Sequence, residues 1–149
     1  IPVTKINKDS EDPREFTFAI IKPNSVKNRD SKKIITDIKN AGFKIKFSNM
    51  KLLNRETVES FYEEHKGKPF LERLIEFMTS GPVIIMVLEK SDGNAIKEFR
   101  NLMGPVDAIE KREEYTDTLR AKYAQDMTKN SIHGSDSLES FEREVNYLI

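Results

Sequence analysis

The feature that most constrains the fold is an unbroken run of six apolar residues, Val83 to Leu88. A run without polar alternation is typical of a strand at the centre of a sheet, where both faces are buried. Such a strand needs other elements packed above it and below it. The run therefore predicts a layered domain of the α/β or α+β class, in which helices cover a sheet.

Two further segments are predicted strands of the same sheet. Phe16 to Ile21 is rich in aromatic and β-branched residues, and Pro23 closes it. Phe43 to Phe47 alternates apolar and basic residues. This alternation is typical of a strand with one buried face and one face in water.

The remaining apolar residues recur at helical spacing. Asn54 is a suitable N-cap for a helix that continues through His65, and Pro69 is predicted to be the first residue of the next helix. Asp136 and Glu139 resemble a capping box at the start of the last helix. The predicted helices cover residues 34–41, 55–65, 69–78, 94–103 and 137–149.

The length of 149 residues fits one compact domain. Residues 1–15 are polar and are predicted to form a flexible lead-in, which leaves residues 16–149 as the folded domain. Residues 106–117 carry many charges and show no apolar period, so we predict a surface loop there.

The composition argues against several classes of protein. Basic and acidic residues number 25 each, so no global field attracts nucleic acid or an anionic membrane. No apolar run approaches the ~18 residues that span a bilayer, and without cysteine there is no disulfide or thiolate metal site. We expect a cytoplasmic protein without a metal site of its own. Because the chain begins at Ile1 rather than Met, a trimmed targeting segment, for example a mitochondrial one, stays open.

His133 is the stronger of the two histidine candidates for chemistry. It lies in the segment 130–137, where an apolar residue is followed by Gly134 and then by a helix start. An imidazole there lies beside backbone N–H groups and the positive end of a helix dipole, which favours phosphate. A neutral imidazole is also a nucleophile that needs no strong base. A loop histidine that only caps the next helix is the alternative, and His65, among charged neighbours, is predicted to be a solvated surface residue.

The other candidate residues indicate phosphate or nucleotide binding only when they are considered together. Lys22 follows a predicted strand, and Arg100 and Arg120 flank the irregular loop; all three suit phosphate oxygens, yet each alone is typical of a solvated cation. Phe70 suits a base stack or the core, and Glu144 suits a salt bridge or a contact that holds an imidazole. The sequence has neither a P-loop nor a protein-kinase catalytic loop, so phosphate binding needs a different scaffold.

The order of several short motifs resembles the nucleoside diphosphate kinase family. The resemblance covers residues 16–149, and the block around His133 is its most specific part. The motifs are Ile20-Ile21-Lys22-Pro23-Asn24-Ser25-Val26, Ser80-Gly81-Pro82, Arg100 with Leu102-Met103-Gly104, Leu119-Arg120, and Asn130 to Ser137.

This resemblance implies a ferredoxin-like sandwich, in which helices cover a four-stranded antiparallel sheet. It also implies that His133 is the catalytic histidine and that Ser135 and Glu144 support it. The implied nucleotide contacts are Lys22, Arg100, Arg120 and Asn130 for phosphates and sugar, Tyr62 near the γ-phosphate, and Phe70 stacked on the base.

The reaction that the resemblance implies is a ping-pong transfer between ATP or another nucleoside triphosphate and a nucleoside diphosphate. The triphosphate phosphorylates His133, and a second diphosphate collects the phosphoryl group. Mg²⁺ is expected to arrive on the nucleotide rather than on the protein. Phosphoryl transfer asks the protein mainly for positioning and for cationic stabilisation, which fits the candidate residues.

Three departures from the family pattern shape the expectations. Asn24-Ser25 stands where Asp-Gly is usual, and Val106 stands where many members have threonine, so a hydroxyl contact to phosphate is missing. The stretch Gly104 to Arg120 is longer than in the common hexameric members and resembles a divergent branch, so we expect a homo-oligomer that differs from the hexamer. The rival function is a regulatory or scaffolding module of the same fold that binds nucleotides with negligible turnover.

Overall fold

A computed structural model describes residues 13–91 and 94–149 of the chain. It contains a four-stranded sheet in the order β2-β3-β1-β4, with every neighbouring pair antiparallel. The predicted four-stranded antiparallel sheet covered by helices is therefore confirmed. The strands are β1 (Phe16–Ile21), β2 (Lys44–Lys51), β3 (Val83–Glu89) and β4 (Ile132–Gly134).

The two central strands are the two most apolar segments of the sequence. β1 and β3 pair from Phe16 opposite Glu89 to Ile21 opposite Ile84. Every residue of β1 is buried, and so is β3 from Val83 to Leu88. The unbroken apolar run is therefore a central strand covered on both faces, as predicted.

Seven α-helices of the described residues surround the sheet. They are α1 (Pro23–Lys27), α2 (Ser31–Asn40), α3 (Arg55–Phe61), α4 (Leu71–Met78), α5 (Ala95–Met103), α6 (Leu119–Tyr123) and α7 (Leu138–Leu148), and short 3-10 turns cover Pro13–Glu15, Glu63–His65 and Val106–Ile109.

The sheet separates two apolar cores, because successive side chains of a strand point to opposite faces. Phe18 and Ile20 of β1 face one core, which contains residues of α3, α4 and α7. Ala19 and Ile21 face the other, which contains residues of α2, α5 and α6. The helices thus cover both faces, and the sandwich architecture follows from the alternation along β1.

Several helix boundaries differ from the prediction: the helix predicted over 34–41 covers Ser31–Asn40, and two larger differences lie near residues 61–71. Pro69 is not the first residue of a helix: α4 begins at Leu71, and Pro69 lies in a turn closed by the bond from the Leu71 amide to the Lys68 carbonyl, 3.1 Å. The helix predicted to run through His65 ends at Phe61. The chain beyond it tightens into a 3-10 turn, in which the His65 amide donates to the Tyr62 carbonyl, 2.8 Å.

The predicted capping box at the last helix is also wrong. Ser137 is the N-cap of α7, and its hydroxyl accepts from the Ser140 amide, 3.0 Å. Asp136 instead accepts a hydrogen bond from the Ser140 hydroxyl, 2.6 Å. Serine and aspartate are both good caps, and the backbone path places Ser137 at the required position.

The predictions for the charged loop and for the lead-in have different outcomes. Residues 110–114 are exposed, as predicted, and one 3-10 turn precedes them. Most of the predicted lead-in, residues 1–12, lies outside the described residues, so that prediction stays open. None of the described helices is long and apolar enough to cross a membrane.

Candidate active site

One cleft of about 630 Å³ brings together eight of the nine residues that the sequence singled out. The ninth, Ser135, is fully buried beneath it and reaches the cleft through Glu144. The eight that line the cleft are Lys22, Tyr62, Phe70, Arg100, Arg120, Asn130, His133 and Glu144.

The short strand β4 determines where the imidazole points. His133 pairs with Ile20 of β1, whereas its neighbour Ile132 is buried in the opposite core. Ser131 enters the strand in the left-handed region, at φ 75°. Gly134 leaves no room for a side chain, since a Cβ there would lie 2.7 Å from the Phe99 ring. The backbone of β4 therefore fixes the histidine on the cleft side of the sheet.

The Glu144 carboxylate holds the His133 ring, and Ser135 holds the carboxylate. Its Nε2 lies 2.9 Å from one oxygen of Glu144, and the Ser135 hydroxyl donates to the other oxygen at 2.5 Å. Glu144 is only 3% exposed. The ring of Phe61 packs edge-on against the imidazole, with centroids 4.9 Å apart. No hydrogen bond joins Nδ1 to another described residue, so this is the ring nitrogen left for chemistry.

The opposite wall of the cleft is cationic and buried. The Lys22 ammonium donates to the side-chain oxygen of Asn130 at 2.7 Å, and burial together with Arg120 lowers the pKa of Lys22 to about 7. Arg120 donates to the carbonyls of Gly104 and Ile132, each at 3.1 Å. Burial, and then the charge of Arg100, lower the pKa of Arg120 to about 10. Neither Lys22 nor Arg120 forms an ion pair with a carboxylate of the described residues, which favours an anionic ligand beside them.

Local backbone contacts bring Lys22 to this wall. Pro23 ends β1, and the Lys22 amide donates to the Ser131 carbonyl at 2.8 Å. The Asn24 amide group donates to the Ser131 hydroxyl, also at 2.8 Å. The end of β1 is thereby tied to the segment that leads into β4, and Lys22 and His133 share one cleft.

Three buried polar atoms of the cleft have no hydrogen-bond partner among residues 13–91 and 94–149. They are the Tyr62 hydroxyl, Nδ1 of His65 and Nε of Arg120. Burial raises the pKa of Tyr62, as does the nearby charge of Glu144, so its hydroxyl stays protonated. An unpaired buried polar group costs about 1–3 kcal/mol. A polar ligand in the cleft would supply the missing partners.

The mouth of the cleft is apolar and open. Phe70 is 44% exposed, which rules out the alternative that it belongs to the core, and Val106 and Met127 are exposed beside the same cleft. Exposed apolar side chains at a cleft suit a flat ligand such as a base. Arg100 is also exposed here, and one of its nitrogens lies 3.4 Å from the Gly134 carbonyl.

Sequence reasoning missed two residues of this site. His65 was predicted to be solvated, but its ring stacks on Tyr62 at 5.9 Å and meets Phe70 edge-on at 5.3 Å. The 3-10 turn that follows α3 redirects it, and no local pattern signals that turn. Met127 lies in an irregular segment before Asn130, so only the folded path of the chain places it at the cleft.

Comparisons with known proteins identify the family of this chain. The sequence model of nucleoside diphosphate kinase matches residues 15–149. A nucleoside diphosphate kinase structure from Aquifex aeolicus has a TM-score of 0.85 at 38% identity, covering 91% of this chain and 94% of that one.

Two other solved structures are similar to this chain. The nucleoside diphosphate kinase from Encephalitozoon cuniculi has 32% identity and a TM-score of 0.81. The halophilic enzyme from Halobacterium salinarum, in complex with CDP, has 35% identity and a TM-score of 0.82. Each comparison covers 91% of this chain and 88% of the other. The family model and these structural similarities show that the chain belongs to the nucleoside diphosphate kinase family.

Proposed function

We propose that this protein transfers the γ-phosphate of a nucleoside triphosphate to a nucleoside diphosphate through a phosphorylated His133. The observation that carries the proposal is the placement of one imidazole, held through Nε2 by Glu144, in a cleft that Lys22, Arg100 and Arg120 also line. An oriented nucleophile opposite phosphate-binding cations is the arrangement that phosphoryl transfer requires.

In the first half-reaction, the lone pair on Nδ1 of His133 attacks the γ-phosphorus. The N–P bond forms as the bond to the bridging oxygen breaks, and the diphosphate leaves with that electron pair. The ring becomes positively charged, and its Nε2 proton stays on the hydrogen bond to Glu144. Ser135 holds the other carboxylate oxygen, so the carboxylate stabilises the charge without having to reorient.

In the second half-reaction, a terminal oxygen of another diphosphate attacks the phosphorus, and the N–P bond returns its electrons to Nδ1. The same residues serve both directions because the two halves are chemically alike. A base at the open mouth meets Phe70 and Met127 by their apolar surfaces rather than by hydrogen-bonding edges. We therefore expect weak discrimination between bases.

The cationic wall is proposed to bind the phosphates. Lys22 and Arg120 offer donors from buried positions, where electrostatic interactions are stronger than in water. The Tyr62 hydroxyl and Nε of Arg120 lack partners within the described part of the chain, so a phosphate oxygen can accept from them without displacing an existing bond. Asn130 holds the Lys22 ammonium in place, 2.7 Å away.

Magnesium is proposed to enter as part of the nucleotide substrate. Among residues 13–91 and 94–149, no group of three histidine or carboxylate side chains could hold a metal ion. A bare cation would also meet Lys22, Arg100 and Arg120, which line the cleft. A magnesium–nucleotide complex carries its own phosphate ligands, which fits a cationic wall better than a protein-bound ion does.

Phosphorylation with γ-labelled ATP tests the proposal. We expect an acid-labile, base-stable phosphoprotein whose label disappears in His133→Ala and persists in His65→Ala. The His65 variant is a matched control because that histidine lines the same cleft. Label retained in His133→Ala would refute the assignment.

The rival function is a nucleotide-binding module with negligible turnover, and Val106 is the observation that favours it. The side chain lines the cleft but offers no hydrogen bond to a phosphate. A coupled assay with ATP and a second diphosphate separates the two functions. If the protein becomes labelled but no labelled triphosphate product forms, the result would support the rival function.

Assembly is a further proposal that depends on the lengthened loop. Residues 110–114 are exposed and carry five charged side chains, which are costly to desolvate at a subunit contact. We therefore expect an assembly other than the common hexamer. Light scattering over a dilution series tests this, and a hexamer that persists at every concentration contradicts it.

A further inference from the structure

The lengthened loop is more than a solvated segment, because one of its arginines reaches back to a helix of the site. Nε of Arg112 donates to the carbonyl of Ala121 at 3.0 Å, and Nη2 lies 3.4 Å from the carbonyl of Ala124. Both carbonyls belong to the C-terminal end of α6. The last carbonyls of a helix have no partner within the helix, and a cation there also complements the helix dipole.

The helix that Arg112 contacts carries Arg120. With five residues, α6 is too short to be stable by itself. Its first turn is capped by Thr118, whose hydroxyl accepts from the Ala121 amide at 3.3 Å. Its far end is held by Arg112 and by Tyr123, whose hydroxyl donates to Asp37 at 2.7 Å. The orientation of α6 therefore depends on contacts with residues outside it.

The hydrogen bonds of Arg120 depend on the orientation of α6. Its guanidinium bridges the Gly104 carbonyl, at the start of the lengthened loop, and the Ile132 carbonyl, next to His133. The side chain is only 7% exposed, so it cannot compensate for a displaced helix by moving through solvent. A misplacement of about 1 Å in a phosphate-binding group can cost about a hundredfold in rate.

We infer that Arg112 is a positioning residue, which holds the C-terminal end of α6 and thereby aims Arg120 at the transferring phosphoryl group. This inference rests on the proposed phosphoryl transfer. The lengthened loop then has a role within its own subunit: it carries an arginine far enough to fasten the helix. Through its contact with Ala124, Arg112 also holds the start of the segment that leads to Asn130.

The loop contains a matched control for this role. Lys111 stands beside Arg112 and has the same charge, but its ion pair is with Asp107 of the same loop, at 3.2 Å. That pair is half-exposed and contains no residue of α6. Lys111→Ala removes one positive charge from the loop, as Arg112→Ala does, and leaves the contacts to Ala121 and Ala124 in place.

The test compares Arg112→Ala, Arg112→Lys and Lys111→Ala with the wild-type full chain in single-turnover phosphorylation of His133. We expect Arg112→Ala to slow phosphorylation about tenfold, with the half-saturating ATP concentration little changed. Lysine keeps the charge but has one donor nitrogen, so Arg112→Lys should recover part of the rate. Lys111→Ala should match the wild type.

A double variant separates positioning from a general structural effect. If Arg112 acts through Arg120, then Arg112→Ala should cost little further rate in an Arg120→Ala background. A tenfold loss that persists in that background, or a rate for Arg112→Ala equal to that of Lys111→Ala, overturns the inference.

Hydrogen exchange provides a readout that does not depend on activity. We expect Arg112→Ala to lower the protection of the amides of Lys122 and Ala124, which donate to Thr118 and Arg120, while the β1–β3 amides keep theirs. Unchanged protection of α6 overturns the inference. If the wild type itself takes up no label, the proposed function fails, and the exchange result still decides whether Arg112 fastens α6.

Discussion

The two walls of the cleft differ in how completely their polar groups are satisfied. On the histidine wall, Nε2 of His133, both oxygens of Glu144 and the Ser135 hydroxyl all have partners within 2.9 Å. On the opposite wall, the Tyr62 hydroxyl and Nε of Arg120 have none within the described residues. Apart from Nδ1 of His133, the groups of the histidine wall are paired within the protein, whereas the other wall, called the ligand wall below, has polar groups without partners.

This difference matches what each wall is proposed to do. A nucleophile must have the same orientation in both half-reactions, so its support is built from the protein alone. The phosphate groups arrive and leave in every cycle, so the groups that bind them are left with unused hydrogen-bonding capacity. Leaving such groups unpaired costs about 1–3 kcal/mol each, which ligand binding recovers.

The largest expected effect comes from removing an arginine of the ligand wall. Charge builds up on the transferring oxygens, so Arg120→Ala should lower the phosphorylation rate by about 10²–10³-fold, as loss of one preorganised donor does. Arg100→Ala should cost less, because Arg100 is exposed and its contact to the Gly134 carbonyl is long, at 3.4 Å. Single-turnover kinetics at saturating ATP measures both.

Arg55→Ala is the control for this pair of variants. Arg55 pairs with Glu59 and Glu72 outside the cleft and is 55% exposed. Its loss should leave the rate unchanged. If Arg120→Ala reaches the wild-type rate at saturation and loses only affinity, the ligand wall anchors the substrate and does not act in the transition state.

A smaller effect is expected at the mouth of the cleft. Phe70 would contact the base equally in the ground state and the transition state, so Phe70→Ala should raise KM about tenfold with kcat little changed. Phe70→Tyr keeps the ring and serves as the control. Steady-state kinetics with two different bases measures the change. No effect on either constant would mean that the exposed ring serves another contact.

The fold was predictable from the sequence where one residue pattern determines one environment. The run from Val83 to Leu88 could only be buried on both faces, and it is the central strand β3. The helix α6, by contrast, was not predicted. Its five residues have no apolar period of their own, and its ends are held by its N-cap Thr118 and by Arg112 of the preceding loop.

The site was predictable as a set of residues but not as a geometry. The motif order singled out His133 and Glu144, whereas only the structure shows that Nε2 is the nitrogen that Glu144 holds. A 3-10 turn places His65 at the cleft, and an irregular segment places Met127 there. Neither kind of segment has a periodic apolar pattern in the sequence. The course of such segments in the folded chain cannot be predicted from hydrophobic periodicity.

The buried lysine of the ligand wall gives a pH-dependent prediction. In the free protein, burial lowers the pKa of Lys22 to about 7, so the amine is charged below that pH and increasingly neutral above it. A bound phosphate favours the charged amine, so binding takes up protons above pH 7. The affinity for ADP should therefore fall about fivefold between pH 7 and pH 8.

Calorimetry in two buffers of different ionisation enthalpy measures that proton uptake directly. Lys22→Arg is the control, because a guanidinium keeps its proton throughout this range. Its binding should take up no protons between pH 7 and pH 8. Equal proton uptake in the wild type and in Lys22→Arg would show that another group titrates on binding.

The smallest expected effect is a gain at Val106, at the mouth of the cleft, where a threonine would add a hydroxyl beside the ligand wall. The side chain lines the cleft and is 45% exposed, so Val106→Thr adds a donor of nearly the same shape without burying it unpaired. One new hydrogen bond is worth about 0.5–1.5 kcal/mol, so kcat/KM should rise about threefold. Val106→Ala changes the volume without adding a hydroxyl and should not reproduce the gain. If the threonine variant matches the wild type in the coupled assay, the ligand wall gains nothing from a donor at this position, and the absence of a hydroxyl at Val106 no longer favours the rival function.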